Sequence, residues 1–285
     1  MTDEQRMQAY GALIEQLLNC PQGEEANILQ NHSDLVDAGL LAMMEQVAEY
    51  LERQGNGNAQ WLRGFATQLA ETIGLELPVQ RDLEVACQFL LETLQVIADK
   101  QGNPQQIYPV WSQQLTCLNL NLLETLPQVA SQLYGDKAKS PDSIAQNLFV
   151  FGNLIADFSE GIRWLNLEIA ITAYEQALRV QTCEAFPENW AKTQANLAIA
   201  YINRIRGDRA YNIEQSIQAN KQALQVFTRE AFPQDWARTQ YNLAIGYSNR
   251  IQGDRAENIE KEIAHYELAL QVCTREAFPE SWARI

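Results

Sequence analysis

Histidine is nearly absent from this chain, which has only two among 285 residues, His32 and His265. Most acid–base and metal-dependent mechanisms use histidine, because its pKa lies near neutral pH and its imidazole binds metals. His32-Ser33-Asp34 contains the residue types of a hydrolytic triad, but triad members meet through the fold, so a turn with a helix cap is the better interpretation. Glu262-x-x-His265 is half of a di-iron motif without a second copy, which favours a solvated helix face.

Phosphate-binding and nucleophile motifs are missing as well. The sequence has no Gly-x-x-x-x-Gly-Lys, no Gly-x-Gly-x-x-Gly and no Gly-x-Ser-x-Gly pattern. The five cysteines are an odd number without a Cys-x-x-Cys pair, which indicates reduced structural thiols. We therefore predict that the chain is not an enzyme and that it binds no cofactor or metal.

A signal peptide, a long apolar run and an excess of basic residues are also lacking. The longest apolar run, Leu148 to Ile155, is interrupted by Gly152 and Asn153. The net charge is −15, and most of the excess acid lies in residues 1–140. Nucleic acids and anionic membrane surfaces both require a basic protein face. We predict a cytoplasmic protein with neither kind of partner.

What the sequence does contain is a repeat of 46 residues. Ala185-Phe-Pro-Glu-Asn-Trp190 recurs without gaps as Ala231-Phe-Pro-Gln-Asp-Trp236 and as Ala277-Phe-Pro-Glu-Ser-Trp282. Other sets keep the same interval: Ala177, Ala223 and Ala269; Gly161, Gly207 and Gly253; Asn166, Asn212 and Asn258. A fixed period of this length predicts an array of similar structural units.

Each unit has the pattern of a helical hairpin. Pro187 suits the first turn of a helix A, and Gly207 suits its left-handed end. We predict that Asn212 caps a helix B that runs to near Glu230. The apolar face of helix B is formed by Ile213, Ile217, Leu224 and Phe227. A single hairpin cannot bury such a face, so successive hairpins are expected to stack into an α-solenoid with a concave face.

These units resemble tetratricopeptide repeats (TPR). Asn196-Leu-Ala-Ile-Ala-Tyr201 and Ile217 to Leu224 are similar to TPR helices A and B, although ordinary units have about 34 residues. The longer unit, with Gly-Asp-Arg-Ala-x-Asn at 207–212 and 253–258, resembles the repeats of cyanobacterial-type proteins with a downstream caspase-like CHAT peptidase domain. The resemblance implies repeats that receive a partner and regulate an effector. Because the array ends without a polar cap, just inside the start of a fourth unit, we also expect this chain to be a fragment of a longer protein.

Helical periodicity extends through the front half, so the predicted fold is all-α: an N-terminal helical bundle followed by an α-solenoid of TPR-like hairpins. A break near Leu75 to Pro78 separates a helical subdomain over 1–75 from a second helical segment, packing on it, over 76–140. The repeats occupy 141–285, at about 145–190, 191–236 and 237–282, with the start of a fourth.

The concave face is expected to be lined by helix A, which supplies the candidate partner-binding residues. These are Lys192, Asn196, Ile199 and Asn203 in one unit, and Arg238, Tyr241, Asn242, Ile245 and Asn249 in the next. Lys192 with Asn196, and Arg238 with Asn242, resemble part of the carboxylate clamp of some TPR domains. A cation with amide donors suits a peptide carboxylate. The alternative is that the asparagines bond neighbouring backbone and the bases are merely solvated.

Two functions from different classes follow. In the first, the chain is a scaffold that binds a partner protein or peptide and is the regulatory part of a larger effector. In the second, it is a structural module that forms homo-oligomers through the N-terminal domain or the exposed end of the solenoid. The size of the protein in solution distinguishes them, because a dilution-stable dimer with an empty groove favours assembly.

Overall fold

A computed structural model of the chain confirms the predicted all-α class. It describes residues 2–21, 23–54, 56–73 and 83–284, and within these ranges it contains helices and no strand. The predicted break at residues 75–78 lies outside them. The first seven helices are α1 (Asp3–Asn19), α2 (Glu25–Asn31), α3 (Ala38–Arg53), α4 (Asn58–Ile73), α5 (Leu83–Asp99), α6 (Pro104–Ser112) and α7 (Leu120–Gly135). Among the helices in these ranges, none combines the length and the hydropathy that crossing a bilayer demands.

Three helical hairpins follow along the chain. Their helices are α8 (Pro141–Asp157), α9 (Arg163–Leu178), α10 (Pro187–Asn203), α11 (Arg209–Ala223), α12 (Pro233–Asn249) and α13 (Arg255–Leu270), and the short α14 (Pro279–Arg284) follows the third hairpin. Helix α10 contacts both α8 and α12, and α11 contacts α12. The hairpins therefore stack in chain order.

Proline begins the first helix of these hairpins as predicted, but the predicted glycine end is wrong, because α10 and α12 end at Asn203 and Asn249 with an extended arginine as the C-cap. Pro187 and Pro233 are the first residues of α10 and α12, where the missing N–H costs nothing. Gly207 and Gly253 lie in the connections after these helices with φ of 78° and 81°, in the left-handed region.

Two further local predictions are wrong, and both concern α11. Helix α11 is capped by Asp208, whose Oδ1 accepts from the Tyr211 N–H at 2.6 Å, and not by Asn212. Asn212 is instead buried, and its Nδ2 donates to the Arg206 carbonyl at 2.8 Å. The same helix ends at Ala223 rather than near Glu230, because the next residues form tight turns that carry Phe227 into the core.

The core between hairpins contains two apolar clusters that bracket α11. In one, Phe227 packs among small residues and is itself fully buried; its buried neighbours are Ala191, Ala195 and Ala223, with Trp190, Val226, Phe232 and Trp236 at the margin. In the other, Ile213 and Ile217 of α11 pack against Leu243 and Tyr247 of α12. Ile213 and Ile217 of the predicted apolar face thus contact the following hairpin, whereas Phe227 lies beyond the end of α11 and packs on Ala191 and Ala195 of its own hairpin.

Arginine–glutamate pairs join consecutive hairpins at one repeating position. Arg204 Nε and Nη2 donate to the two carboxylate oxygens of Glu168 at 2.7 and 2.6 Å. Arg250 binds Glu214 in the same two-pronged way, at 2.6 and 3.1 Å. In both pairs the two residues are 36 positions apart, and the second pair lies one 46-residue period after the first. The ion pairs therefore recur with the repeat.

The chain divides into two compact units, each assembled from separate segments. One comprises residues 1–92, 104–125 and 158–166, and the other comprises 93–103, 126–157 and 167–285. In the first unit, Asp37 caps α3 through the Leu40 N–H and also binds Arg6 at 2.6 Å. All five cysteines are free thiols.

Candidate partner-binding site

The candidate residues lie on two neighbouring first helices of the hairpins. Lys192, Asn196, Ile199 and Asn203 belong to α10, and Arg238, Tyr241, Asn242, Ile245 and Asn249 belong to α12. We call these nine residues the A-helix face. Within α10 the positions are spaced by four, three and four residues, which places them on one side of the helix. All nine are exposed or half-buried.

Both bases of the A-helix face pair with an acid one turn earlier in their own helix. Lys192 Nζ lies 2.6 Å from Glu188 Oε1, and Arg238 Nη2 lies 3.1 Å from Asp235 Oδ1. Exposed pairs of this kind contribute only about 0–1 kcal/mol to stability. A ligand carboxylate can therefore compete for either base at little cost.

Asn196 and Asn242 differ in their hydrogen-bond partners. Asn196 Nδ2 donates to Asn153 Oδ1 of α8 at 2.8 Å, and the Tyr174 hydroxyl donates to the same oxygen at 2.9 Å. Asn242 occupies the equivalent position one repeat later, but Ile199 stands where that acceptor would be. Within the described residues, the buried Nδ2 of Asn242 has no hydrogen-bond partner.

An unpaired buried donor costs about 1–3 kcal/mol. A ligand that brings a carbonyl or carboxylate oxygen to Asn242 would recover part of that cost. Asn153, which the sequence analysis did not select, is the residue that makes the two hairpins unequal. The sequence signal for this difference is that positions 153 and 199, one period apart, hold asparagine and isoleucine.

The other polar and aromatic side chains of the A-helix face bond to or pack on neighbouring groups of the chain. Asn203 and Asn249 each donate from Nδ2 to a backbone carbonyl four residues earlier, at 2.9 Å in both cases. The Tyr241 ring packs at 5.8 Å on Tyr266 of α13. Ile199 is exposed on α10, about one turn after Asn196. Each helix thus presents a base, an asparagine, an isoleucine and a second asparagine in that order, and the base with the first asparagine suits a peptide carboxylate.

Neither histidine lies on the A-helix face. His32 Nδ1 is 2.9 Å from the Ile28 carbonyl oxygen, and the turn after it leads to α3, whose cap is Asp37 and not Ser33 or Asp34. His265 Nδ1 is 2.6 Å from Gln240 Oε1, and its ring stacks on Tyr247 at 5.4 Å. Both imidazoles are held by neighbouring groups of the chain.

A polar groove lies on another side of the repeats, between α9 and α11. It encloses about 210 Å³, and its lining includes Glu175, Tyr201, Gln215 and Gln222. The Tyr201 hydroxyl donates to Glu175 at 3.1 Å. One repeat later, the equivalent positions place Lys221, Lys261 and His265 around Tyr247, with both ammonium groups within 6 Å of its ring centre.

His265 provides a test of this second arrangement. Burial lowers the pKa of His265 below its ordinary value of 6.5, and the nearby Lys221 ammonium lowers it further. The Lys221→Gln variant should therefore raise the His265 pKa without restoring it fully. A pH titration by proton NMR measures it, with the His32 signals as the internal reference. An unchanged His265 pKa would contradict the placement of Lys221.

The lowered pKa of His265 also makes the stability of the fold depend on pH. The unfolded chain takes up a proton on this residue near pH 6.5, whereas the folded chain does so only at a lower pH. Between the folded-state pKa and pH 6.5, the unfolded state therefore binds more protons. The contribution of His265 is present above pH 6.5 and is lost as the pH falls through its folded-state pKa.

A comparison with known proteins found no matching family model, no similar curated protein and no similar solved structure.

Proposed function

We propose that the chain is a protein-interaction scaffold of TPR-like hairpins that binds a carboxylate-bearing segment of a partner protein on the A-helix face. It acts by binding rather than by catalysis. The observation that carries the proposal is the recurrence of a base and an amide, one helical turn apart, on adjoining hairpins. The amide of Asn242 supports it further, since its buried donor is unpaired among the described residues.

Charge and fold support the same conclusion. The A-helix face carries two bases, each paired with one acid of its own helix, and an acidic group of a partner can compete for both. Stacked hairpins present their first helices side by side, which gives an extended segment several successive contacts. The resemblance of the long repeats to those of CHAT-domain proteins supports a regulatory role within a larger effector.

Affinity capture from a source-cell lysate tests the proposal. The Lys192→Glu/Arg238→Glu variant should lose a protein that the wild type captures, because both bases become repulsive to a carboxylate. Lys139→Glu/Arg229→Glu is the matched control, since it makes the same charge change at exposed positions in connecting segments. Circular dichroism verifies that both variants stay helical.

Comparing the proteins captured by the wild type and the two variants shows whether the partner binds on the A-helix face. Loss of the captured protein by the A-helix-face variant alone supports the proposal. An identical set of captured proteins for all three chains would contradict it and direct attention to residues 1–140.

A further inference from the structure

The polar groove between α9 and α11 contains a side-chain amide without a partner. Gln194 of α10 lines the groove and is only 7% exposed. Among the described residues, no other group of the chain forms a hydrogen bond with this amide. Buried polar groups are normally paired, so the amide is available to a group that enters the groove. We define the Tyr201 groove by five of its lining residues, Glu175, Gln194, Leu197, Tyr201 and Ala219.

The next repeat shows what the equivalent space can hold. The His265 ring lies parallel to the Tyr247 ring, with 5.4 Å between their centres and 7° between their planes. His265 Nδ1 is also 2.6 Å from Gln240 Oε1. His265, Tyr247 and Gln240 stand one period after Ala219, Tyr201 and Gln194, respectively. A planar group with a ring nitrogen therefore stacks on the tyrosine and bonds to the glutamine in one repeat, and alanine takes its place in the other.

Alanine leaves the space of that ring open. The groove encloses about 210 Å³, which is room for a group much larger than one water molecule. Arg204 lies 5.9 Å from the Tyr201 ring centre and Arg250 lies 5.8 Å from that of Tyr247, so in both repeats the neighbouring arginine is equally distant from the tyrosine. Helix α10 contacts α8, and α11 contacts α12. The groove thus stays open with both neighbouring hairpins in place.

Charge selects the group that fits this space. Glu175 stands where the next repeat has Lys221. Its carboxylate accepts from the Tyr201 hydroxyl at 3.1 Å, and no cationic nitrogen of the described chain lies within 4.0 Å of it. Desolvation raises the pKa of Glu175 above its ordinary value, and the Tyr201 hydroxyl and Arg204 offset this only in part. A cation in the groove would stabilise the charged carboxylate.

A guanidinium group has both the required shape and the required charge. It is planar, stacks on aromatic rings and stays protonated in proteins. Its five N–H donors can serve a carboxylate and an amide oxygen together. An ammonium group has no flat face to stack on Tyr201, and a neutral ring leaves Glu175 without a cation.

We propose that the Tyr201 groove is a binding site for a guanidinium group, carried either by an arginine of a protein segment or by a free guanidino compound. The group stacks on Tyr201, donates to the side-chain oxygen of Gln194 and pairs with Glu175. The site goes beyond the proposed function, because none of its residues belongs to the A-helix face.

A titration followed by two-dimensional NMR of the full chain tests the site. The probe is N-acetyl-arginine amide, and N-acetyl-citrulline amide is its uncharged isostere. The arginine compound should bind saturably with a Kd on the order of 1 mM, and the citrulline compound about tenfold more weakly, because it cannot pair with Glu175. Free L-arginine separates the two sources. Tighter binding than the capped compound supports a site for a free guanidino compound, and equal or weaker binding supports a site for an arginine within a chain.

Variants of the chain assign the binding to the groove. Ala219→His supplies the imidazole that the next repeat carries, so it should abolish binding while circular dichroism shows an unchanged helix content. Glu175→Gln should weaken binding about tenfold, whereas Glu184→Gln, at an exposed acid in a connecting segment, should leave it unchanged.

The proposal is overturned if the arginine compound does not bind saturably or if the citrulline compound binds equally well. Equal losses with Glu175→Gln and Glu184→Gln, or unchanged binding by Ala219→His, would overturn it as well, because the guanidinium group would then lie outside the Tyr201 groove.

Discussion

Replacing Arg204 with methionine should lower the free energy of unfolding by about 3 kcal/mol, because it removes two charge-assisted hydrogen bonds from the buried Glu168 carboxylate. The Arg204 and Glu168 side chains are only 18% and 5% exposed. The pair is also two-pronged, at 2.7 and 2.6 Å, so methionine replaces none of its hydrogen bonds. Urea denaturation followed by circular dichroism measures the change.

The next repeat provides the control for this prediction. Arg250 and Glu214 form the same pair, but their side chains are 24% and 26% exposed. Arg250→Met should therefore cost about 1 kcal/mol, since water reaches the unpaired carboxylate. The double variant Glu168→Leu/Arg204→Met should recover most of the loss, because a buried ion pair replaced by apolar residues leaves no uncompensated charge. Equal losses for Arg204→Met and Arg250→Met would show that burial does not set the cost.

Replacing Phe227 with alanine should cost about 4 kcal/mol, since it removes a fully buried ring and leaves a cavity. The surrounding residues Ala191, Ala195 and Ala223 are themselves fully buried on helices. Alanine has no rotamers with which to fill the space, so the cavity can be reduced only by movement of the larger side chains at its margin, such as Phe232. Denaturant unfolding measures the loss of free energy of unfolding. Relative to the wild type, amide hydrogen exchange in the variant should become faster in α10 and α11 more than in α3.

Cys273 holds the same repeat position one unit later and is the matched control. It is buried too, but alanine differs from cysteine by only one sulfur atom. Cys273→Ala should cost about 1 kcal/mol, in line with a typical small deletion. A Phe227→Ala loss as small as this would mean that the stacked hairpins repack freely, contrary to the close contacts around Phe227.

The repeat made most of the fold predictable from sequence. A 46-residue period fixes where equivalent residues fall, so Pro187 placed the start of α10 and Gly207 placed its connection to α11. The apolar positions Ile213 and Ile217 followed from helical spacing alone. These features depend on local preference and periodicity, which a single sequence contains.

Polar partners were less predictable, because they depend on which groups the fold brings together. Asn212 and Asp208 are both good helix caps, and only the path of the connection shows that Asp208 reaches the Tyr211 N–H while Asn212 turns inward. The bond between Asn153 and Asn196 joins residues 43 positions apart, which is not the period of the repeat. The inequality between Asn196 and Asn242 therefore became visible only in the structure.

Site-specific photo-crosslinking in source cells tests whether a partner binds on the A-helix face. A photoreactive phenylalanine analogue would replace Ile199 or Ile245 on that face, or Tyr211, which is exposed on α11. If the partner binds there, Ile199 and Ile245 should crosslink to one and the same protein and Tyr211 should not. Crosslinking of a protein from Tyr211 alone, with none from the two isoleucine positions, would contradict binding on that face.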